Sequence, residues 1–128
     1  MSVKLFRVIL PVSSIAEAAR FYATVLGFEG KRVSGGRHYF HCGPTILACF
    51  SPREDGDSFE LPANPDHVYF SVDDLEATLA RCQEAGCQRV DERIETRPWG
   101  ERSFYATDPF GNQLCFVDET TTFTGLQP

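Results

Sequence analysis

The sequence predicts an α+β protein made of two tandem βαβββ units, on three observations. Short runs alternate between apolar and polar residues, as strands with one covered face do. A segment with helical spacing follows the first such run in each half. The halves also align at an offset of 60 residues, RVILPVSSI at 7–15 matching HVYFSVDDL at 67–75. Because each unit has a helix for only one sheet face, we expect eight strands to form a mixed, cup-shaped sheet around a cavity.

The chain is predicted to be one domain, residues 1–128. The first unit covers about residues 4–50 and the second about 66–118, with a linker at 51–65 and a tail at 119–128. This length, with a hydrophobic content of 42%, is enough to build a core.

Composition excludes several kinds of partner. No apolar run approaches the roughly 20 residues that span a bilayer, and the start lacks a signal-peptide pattern, so no membrane partner is expected. The net charge of −6 is scattered without a basic stripe, which argues against nucleic acid. Five cysteines without a close CxxC pair favour reduced thiols, a cytoplasmic location and no structural disulfide.

The first unit opens with an alternating strand at residues 4–11. Ser13 or Ser14 caps the helix that follows, Glu17 is placed for a capping box, and Gly27 ends the helix. The residues of the first strand predicted to face the core are Phe6, Val8 and Leu10. Three more strands are predicted at residues 28–34, 37–42 and 45–50.

The segment 51–65 holds three prolines and four acidic residues without an apolar period, so we interpret it as a linker or mobile edge. The pattern then restarts with a strand at 66–72. Asp73 is predicted to cap the second helix, with Glu76 completing the box, and Gly86 to end it. A strand at 88–94 leads to a hairpin.

That hairpin has strands at 103–107 and 113–117 around a DPFGN turn, whose residue types each favour a turn position. Alternation sends one set of side chains to the core: Phe104, Ala106, Leu114 and Phe116. Over both units, the side chains expected on the uncovered faces are Arg7, His67, Tyr69, Ser103, Tyr105, Gln113 and Cys115.

Motifs in both halves resemble the vicinal oxygen chelate superfamily. They are VSSI, FY and LGF in the first half, and HVYFSVDDL and WGERSFYATDPFGNQL in the second. This superfamily includes glyoxalase I, bleomycin-resistance proteins, fosfomycin-resistance thiol transferases and extradiol dioxygenases. The resemblance covers about residues 5–117 and implies the same fold. It says much less about function, because this fold supports many activities.

Metal-dependent members of that superfamily chelate a divalent ion with a His or Gln on the first strand of a unit and a Glu near the end of its last strand. The resemblance places these positions at Arg7, His67 and Cys115, with the fourth near Leu47 or Cys49. Arg7 cannot bind a cation, because guanidinium stays charged and has no free lone pair. No cofactor is therefore expected; if a divalent metal binds, His67 and Cys115 are its candidate ligands.

Each candidate residue has a functional and a structural interpretation. Arg7 suggests an anionic ligand, or it pairs with a linker acid such as Glu60. His67 is a catalytic base or hydrogen-bond donor, or a polar residue satisfied by its neighbours. Cys115 is a nucleophile or an inert buried thiol.

The resemblance to the fosfomycin-resistance branch implies that Ser103 and Tyr105 contact a ligand, although Tyr105 can also be structural. Trp99 is either an aromatic lid, as in the bleomycin-resistance branch, or part of the core. Arg97 and Arg102 can steer anions from the rim or simply be solvated. The full set of predicted ligand-binding residues is Arg7, His67, Tyr69, Trp99, Ser103, Tyr105, Gln113 and Cys115.

Together these features predict a metal-free protein that binds a small anionic or aromatic molecule. The alternative is an enzyme of the same fold, either a lyase, isomerase or thiol transferase with His67 as base, or a metal-dependent dioxygenase. A homodimer is expected, since the resemblance implies that chains with two units pair.

Overall fold

The computed structural model describes residues 1–126 and confirms the α+β fold. The chain divides between Asn64 and Pro65 into two compact units, each with its own sheet and a helix on one face of that sheet. Within the described residues, neither helix has the length and apolar content needed for a membrane span.

The first unit contains five elements in the predicted order: β1 (Arg7–Pro11), α1 (Ile15–Leu26), β2 (Lys31–Ser34), β3 (Arg37–Cys42) and β4 (Thr45–Phe50). The sheet order is β1-β4-β3-β2, with β1 parallel to β4 and the other pairs antiparallel. The unit's core includes Leu10, Ile15, Ala18, Tyr22, Val25, Phe40, Leu47 and Cys49.

The predicted bounds of α1 are confirmed. Ser14 is the N-cap, and its hydroxyl accepts a hydrogen bond from the Glu17 N–H at 3.2 Å. Such a cap stabilises a helix by about 1 kcal/mol. Gly27 ends the helix with φ of +87°, a left-handed conformation that favours glycine.

The first strand is shorter than predicted, since β1 begins at Arg7 rather than at residue 4. Phe6, expected in the core, is 61% exposed. The reason lies in the partner strand: β4 starts at Thr45, so Phe6 lies at the very end of the paired region, and the Leu5 carbonyl before it accepts a side-chain bond, from the Thr45 hydroxyl at 2.8 Å. Leu5 is exposed for the same reason.

Part of the predicted linker, residues 51–57, belongs to the first unit. The Glu54 carboxylate accepts a hydrogen bond from the Ile15 N–H at 2.6 Å, at the start of α1. The Asp55 carboxylate accepts one from the Ser34 hydroxyl at 2.6 Å, and this bond is the main reason that the pKa of Asp55 is lowered. These contacts hold the segment against the unit.

The second unit has six regular elements and a terminal turn: β5 (Val68–Val72), α2 (Leu75–Glu84), β6 (Arg89–Val90), β7 (Glu95–Thr96), β8 (Arg102–Thr107), β9 (Gln113–Asp118) and a short 3-10 helix (Glu119–Thr121). The sheet order is β5-β9-β8-β6, and β7 also pairs with β8. The predicted alternation on β8 and β9 is confirmed by their register, which pairs Phe104 with Phe116 and Ala106 with Leu114 on one face; all four side chains are buried.

The single strand predicted at 88–94 is wrong, since the chain forms two strands of two residues there and nine strands within residues 1–126. Asp91 explains the break. Its N–H donates to the Tyr105 carbonyl at 3.0 Å, but its side-chain carboxylate, not a main-chain carbonyl, accepts the Tyr105 N–H at 2.9 Å. A side chain therefore replaces one bond of the sheet ladder.

The cap of α2 also differs from the prediction. Asp74, not Asp73, is the N-cap, and it accepts a hydrogen bond from the Ala77 N–H at 3.0 Å. Glu76 does not complete a capping box; it pairs with Arg102 at 2.7 Å. The correct cap is the residue that matches Ser14 at the offset of the internal repeat.

Candidate functional site

Polar side chains on the open face of the second sheet lie in rows across the strands, because paired residues of neighbouring strands point to the same face. The first row runs from Gln113 on β9 through Thr107 on β8 to Arg89 on β6. His67 precedes β5 directly and continues the row beside Gln113. The Thr107 hydroxyl donates to Gln113 Oε1 at 3.1 Å, which fixes the amide within the row.

The second row lies two residues further along the strands. Tyr69 on β5 is paired with Cys115 on β9, and Cys115 with Tyr105 on β8. Asp91 extends this row beyond Tyr105. Ser103, two residues before Tyr105, points to the same face. Strand alternation alone predicted this grouping of six candidate residues: His67, Tyr69, Ser103, Tyr105, Gln113 and Cys115.

The first row and the Tyr105 and Asp91 end of the second row border a cavity of about 230 Å³, whereas Tyr69, Ser103 and Cys115 do not line it. This volume is slightly below the range of about 300–1,000 Å³ common for small-molecule pockets, so the ligand it suits is small. The polar residues that line it are His67, Arg89, Asp91, Tyr105, Thr107 and Gln113. Sequence reasoning missed Arg89 and Asp91, although both alternate with Val90 in the strand predicted at 88–94, a signal that could have placed them on one face.

Arg97 holds several of these groups in place. Its Nε donates to the Ser103 hydroxyl at 2.8 Å, and a terminal nitrogen donates to the Ser103 carbonyl at 3.3 Å. The guanidinium lies 4.8 Å from the centre of the Tyr105 ring and 4.0 Å from Asp91 Oδ2. Arg97 is therefore packed against the sheet and engaged with its neighbours, rather than lying free at the rim.

Arg102 is also engaged elsewhere. It pairs with Glu76 at 2.7 Å and with Asp118 at 2.6 Å, next to the helix-covered side of the unit. These two carboxylates satisfy its charge, so the structure does not support a role for Arg102 in attracting a ligand.

Cys115 is buried at the centre of the second row. Burial raises the pKa of its thiol to about 11. A hydrogen bond with Ser103 and the charge of Arg97 lower this pKa, but their effect is smaller than that of burial. The thiol is therefore protonated at neutral pH. A protonated thiol is a poor nucleophile, and this favours the inert interpretation of Cys115.

The two aromatic neighbours of Cys115 differ in exposure. Tyr69 is 60% exposed, and partial burial, followed by the neighbouring Cys115 and Tyr105, raises the pKa of its phenol. Tyr105 is half-buried, with the His67 ring 4.8 Å away between ring centres. His67 itself is exposed, so it can meet a ligand in the cavity.

Trp99 lies in the loop before β8 and is 49% exposed. Its indole N–H donates to Glu101 Oε1 at 2.7 Å, and it does not line the cavity described above. The structure therefore does not place Trp99 in the core, and it does not bring Trp99 to the other candidates.

Arg7 belongs to the first unit, where it is exposed rather than buried. Its guanidinium lies 4.8 Å from the centre of the Phe6 ring and 5.4 Å from that of Tyr39. The alternative in which Arg7 pairs with Glu60 is wrong, since Glu60 pairs with Arg53 at 3.4 Å.

Strand register identifies the fourth position of the chelating pattern. Ala48 is paired with Ile9 and Tyr39, as Cys115 is paired with Tyr69 and Tyr105 in the second unit. The position is therefore Ala48, which lies between the two residues that the resemblance offered, Leu47 and Cys49, and is buried as they are.

The residues at the chelating positions do not fit a divalent metal. They are Arg7 and Ala48 in the first unit and His67 and Cys115 in the second. Arginine and alanine supply no ligand, and the raised pKa of Cys115 disfavours the thiolate that a metal would need. Among residues 1–126, no group of three or more His, Cys, Asp or Glu side chains is placed to hold a metal ion.

Comparisons with known proteins agree with this fold. The model of the Glyoxalase/Bleomycin resistance protein/Dioxygenase superfamily matches residues 4–116. The uncharacterized protein YwbC of Bacillus subtilis is 30% identical over 118 residues, covering 82% of this chain and 89% of its own.

Two solved structures show the likeness in three dimensions. A glyoxalase-related enzyme from Fulvimarina pelagi has a TM-score of 0.74 at 16% identity, covering 90% of this chain and 87% of its own. The oxidase ChaP-H2 has a TM-score of 0.70 at 26% identity, covering 92% and 94%. With the repeated unit and the superfamily match over nearly all its length, this chain belongs to the glyoxalase/bleomycin resistance protein/dioxygenase superfamily, the vicinal oxygen chelate fold.

Proposed function

We propose that this protein binds a small anionic or aromatic molecule, without a metal, in the cavity on the open face of its second sheet. One observation carries the proposal: Arg89 and the ring of Tyr105 line the same cavity, and no carboxylate in residues 1–126 lies within ion-pairing distance of Arg89. A cation without an acidic partner attracts an anion, and an aromatic ring adds apolar surface that an aromatic ligand can contact.

The absence of fitting metal ligands supports binding without a metal. Superfamily members that chelate a metal use its positive charge to polarise their substrate. In the proposed site, the guanidinium of Arg89 supplies positive charge instead. The cavity residues instead supply hydrogen bonds, charge and aromatic surface, which are sufficient for recognition.

An enzyme is the second candidate, because His67 is exposed at the cavity and lies beside Tyr105. In that case His67 removes a proton from a bound substrate, and a guanidinium stabilises the resulting anion. A lyase, isomerase or thiol transferase would use such a step.

The test of the proposed function compares Arg89→Gln with Arg93→Gln. Both variants remove one positive charge from the same exposed segment, but Arg93 pairs with Glu95 at 3.7 Å and does not line the cavity. For benzoate, measured by calorimetry, we expect Arg89→Gln to weaken binding about tenfold and Arg93→Gln to leave it unchanged. Equal losses in both variants would assign the effect to overall charge.

We also propose a cytoplasmic homodimer. Two features support dimerisation: β1 is an edge strand of its sheet, and the exposed apolar side chains of Leu5 and Phe6 precede it. Five free thiols in the described structure fit a reducing compartment. We expect light scattering at micromolar concentration to give twice the mass of one chain; a monomeric mass would contradict the dimer.

A further inference from the structure

The charges around the cavity point to the kind of anion it takes. Arg89 and Asp91 line the cavity, and Arg97 lies beside Asp91, with its terminal nitrogen 4.0 Å from Asp91 Oδ2. Arg97 and Asp91 balance each other, so the guanidinium of Arg89 leaves one positive charge in excess among the described side chains that line the cavity. A ligand with a single negative charge balances this arrangement, whereas a zwitterion leaves the excess charge in place.

Two donors are available for a carboxylate. Arg89 has no acidic partner among the described residues. Gln113 accepts the Thr107 hydroxyl through Oε1, so its amide nitrogen is left to donate. Arg89 and Gln113 flank Thr107 in the first row, and their flexible side chains can reach the same anionic group.

Asp91 has one oxygen engaged and one available. Oδ2 accepts the Tyr105 N–H at 2.9 Å and faces Arg97. No residue in 1–126 donates a hydrogen bond to Oδ1, although Asp91 borders the cavity. A carboxylate oxygen can only accept, so the ligand group that satisfies it must be a donor.

Arg89 and Asp91 are two residues apart on extended chain, a separation of about 7 Å between their Cα atoms. They form no ion pair with each other, and Tyr105 lies beside Asp91 in the second row. A ligand that contacts both Arg89 and Asp91 therefore has its acid group at one end and its hydrogen-bond donor at the other. The short skeleton between them lies on the Tyr105 side of the cavity.

We infer that the cavity binds a small carboxylic acid with a hydroxyl group at the end remote from the carboxylate, as in a phenolic acid. Arg89 and Gln113 hold the carboxylate, and Asp91 Oδ1 accepts the hydroxyl hydrogen. This assignment rests on the proposed anion-binding function and adds to it the requirement for a donor.

The test uses three ligands of nearly equal size: 4-hydroxybenzoate, benzoate and methyl 4-hydroxybenzoate. In calorimetry with the wild-type protein, we expect 4-hydroxybenzoate to bind about tenfold or more tightly than benzoate, because it adds a hydrogen bond to a charged acceptor. The methyl ester, which lacks the anion, should bind at least tenfold more weakly than 4-hydroxybenzoate.

Asp91→Asn tests the acceptor. Its amide oxygen can still accept the Tyr105 N–H, so the strand geometry is preserved, while the charge is lost. We expect the variant to lose the preference for 4-hydroxybenzoate but to bind benzoate at least as well as the wild type. Glu92→Gln, a neighbouring exposed residue outside the cavity, should retain the preference. Thermal unfolding of each variant verifies that it is folded.

The outcomes separate the two proposals. Equal affinity for the two acids, with Arg89→Gln still weakening both, overturns the hydroxyl assignment and leaves the anion site standing. If a folded Asp91→Asn variant keeps the preference, Asp91 is not the acceptor and the assignment is also overturned. Failure of both acids to bind up to their solubility limits overturns the assignment and the proposed function together.

Discussion

At the scale of single residues, the thiols differ in how readily they ionise. Burial raises the pKa of Cys42, and burial raises that of Cys115 to about 11. Cys82 and Cys87 share a hydrogen bond, which raises the pKa of the buried Cys82 and lowers that of Cys87. The bond favours a Cys87 thiolate that accepts a hydrogen from the Cys82 thiol.

These shifts predict the order of alkylation. Since the thiolate is the reactive form, Cys87 should react with iodoacetamide first as the pH rises through 7 and 8. At pH 8, only about 0.1% of a thiol with a pKa near 11 is ionised, so Cys115 should remain unmodified on the same time scale. Mass spectrometry of peptides after timed labelling measures both.

Cys82→Ala provides the control for this order. It removes the donor to Cys87, so alkylation of Cys87 should slow and its pH profile move upward. Labelling of Cys115 as fast as Cys87 in the wild type would contradict the assignment.

The candidate site was predictable only where it followed regular strands. Alternation placed Tyr105, Gln113 and Cys115 on one face. The antiparallel pairing of β8 with β9 then brings Tyr105 opposite Cys115. The role of Asp91 could not be found in this way, because it depends on a side chain that replaces a main-chain acceptor for Tyr105. The positive charge of Arg97 is evident from the sequence, but its packing against the Tyr105 ring is a tertiary contact that local sequence patterns do not predict.

At the scale of elements, the hairpin turn has the most complete set of local bonds. Asp108 Oδ1 accepts the N–H groups of Phe110 at 2.9 Å and Asn112 at 2.8 Å, and Oδ2 accepts from the Asn112 side chain at 2.9 Å. Gly111 has φ of +94°, which favours glycine. Both polar side chains are fully buried, so the DPFGN motif has a structural role in this chain.

Asp108→Ala should lower the free energy of unfolding by about 2–4 kcal/mol, because it leaves several buried donors without an acceptor. Asp57→Ala, at an exposed position, should change it by less than about 0.5 kcal/mol. Urea unfolding followed by circular dichroism measures both. Similar losses in the two variants would show that the turn is not held by Asp108.

The second helix shows the limit of local sequence signals. Asp73 and Asp74 are both good caps by residue type, and only the backbone around Asp74 has the geometry that accepts the Ala77 N–H. Comparison with Ser14 across the repeat identifies the correct residue. The bounds of α1, β3 and β4 were predicted without error because glycines and capping residues mark them.

At the scale of the whole molecule, two units of one design carry different chemistry. The first unit has Arg7 and Ala48 where the second has His67 and Cys115. The fold is set by apolar alternation and turns, which both units keep, whereas the open-face residues are free to differ. The sequence therefore predicted the superfamily correctly, but the register of β4 was needed to locate Ala48.

Metal content of the untagged protein, before and after incubation with Mn, Fe, Ni, Co and Zn, tests the central claim most directly. Arginine and alanine at two chelating positions and a protonated thiol at a third predict far less than one metal ion per chain by elemental analysis. One tightly held equivalent that disappears in His67→Ala and Cys115→Ala would contradict the claim and assign the protein to the metal-chelating members of its superfamily.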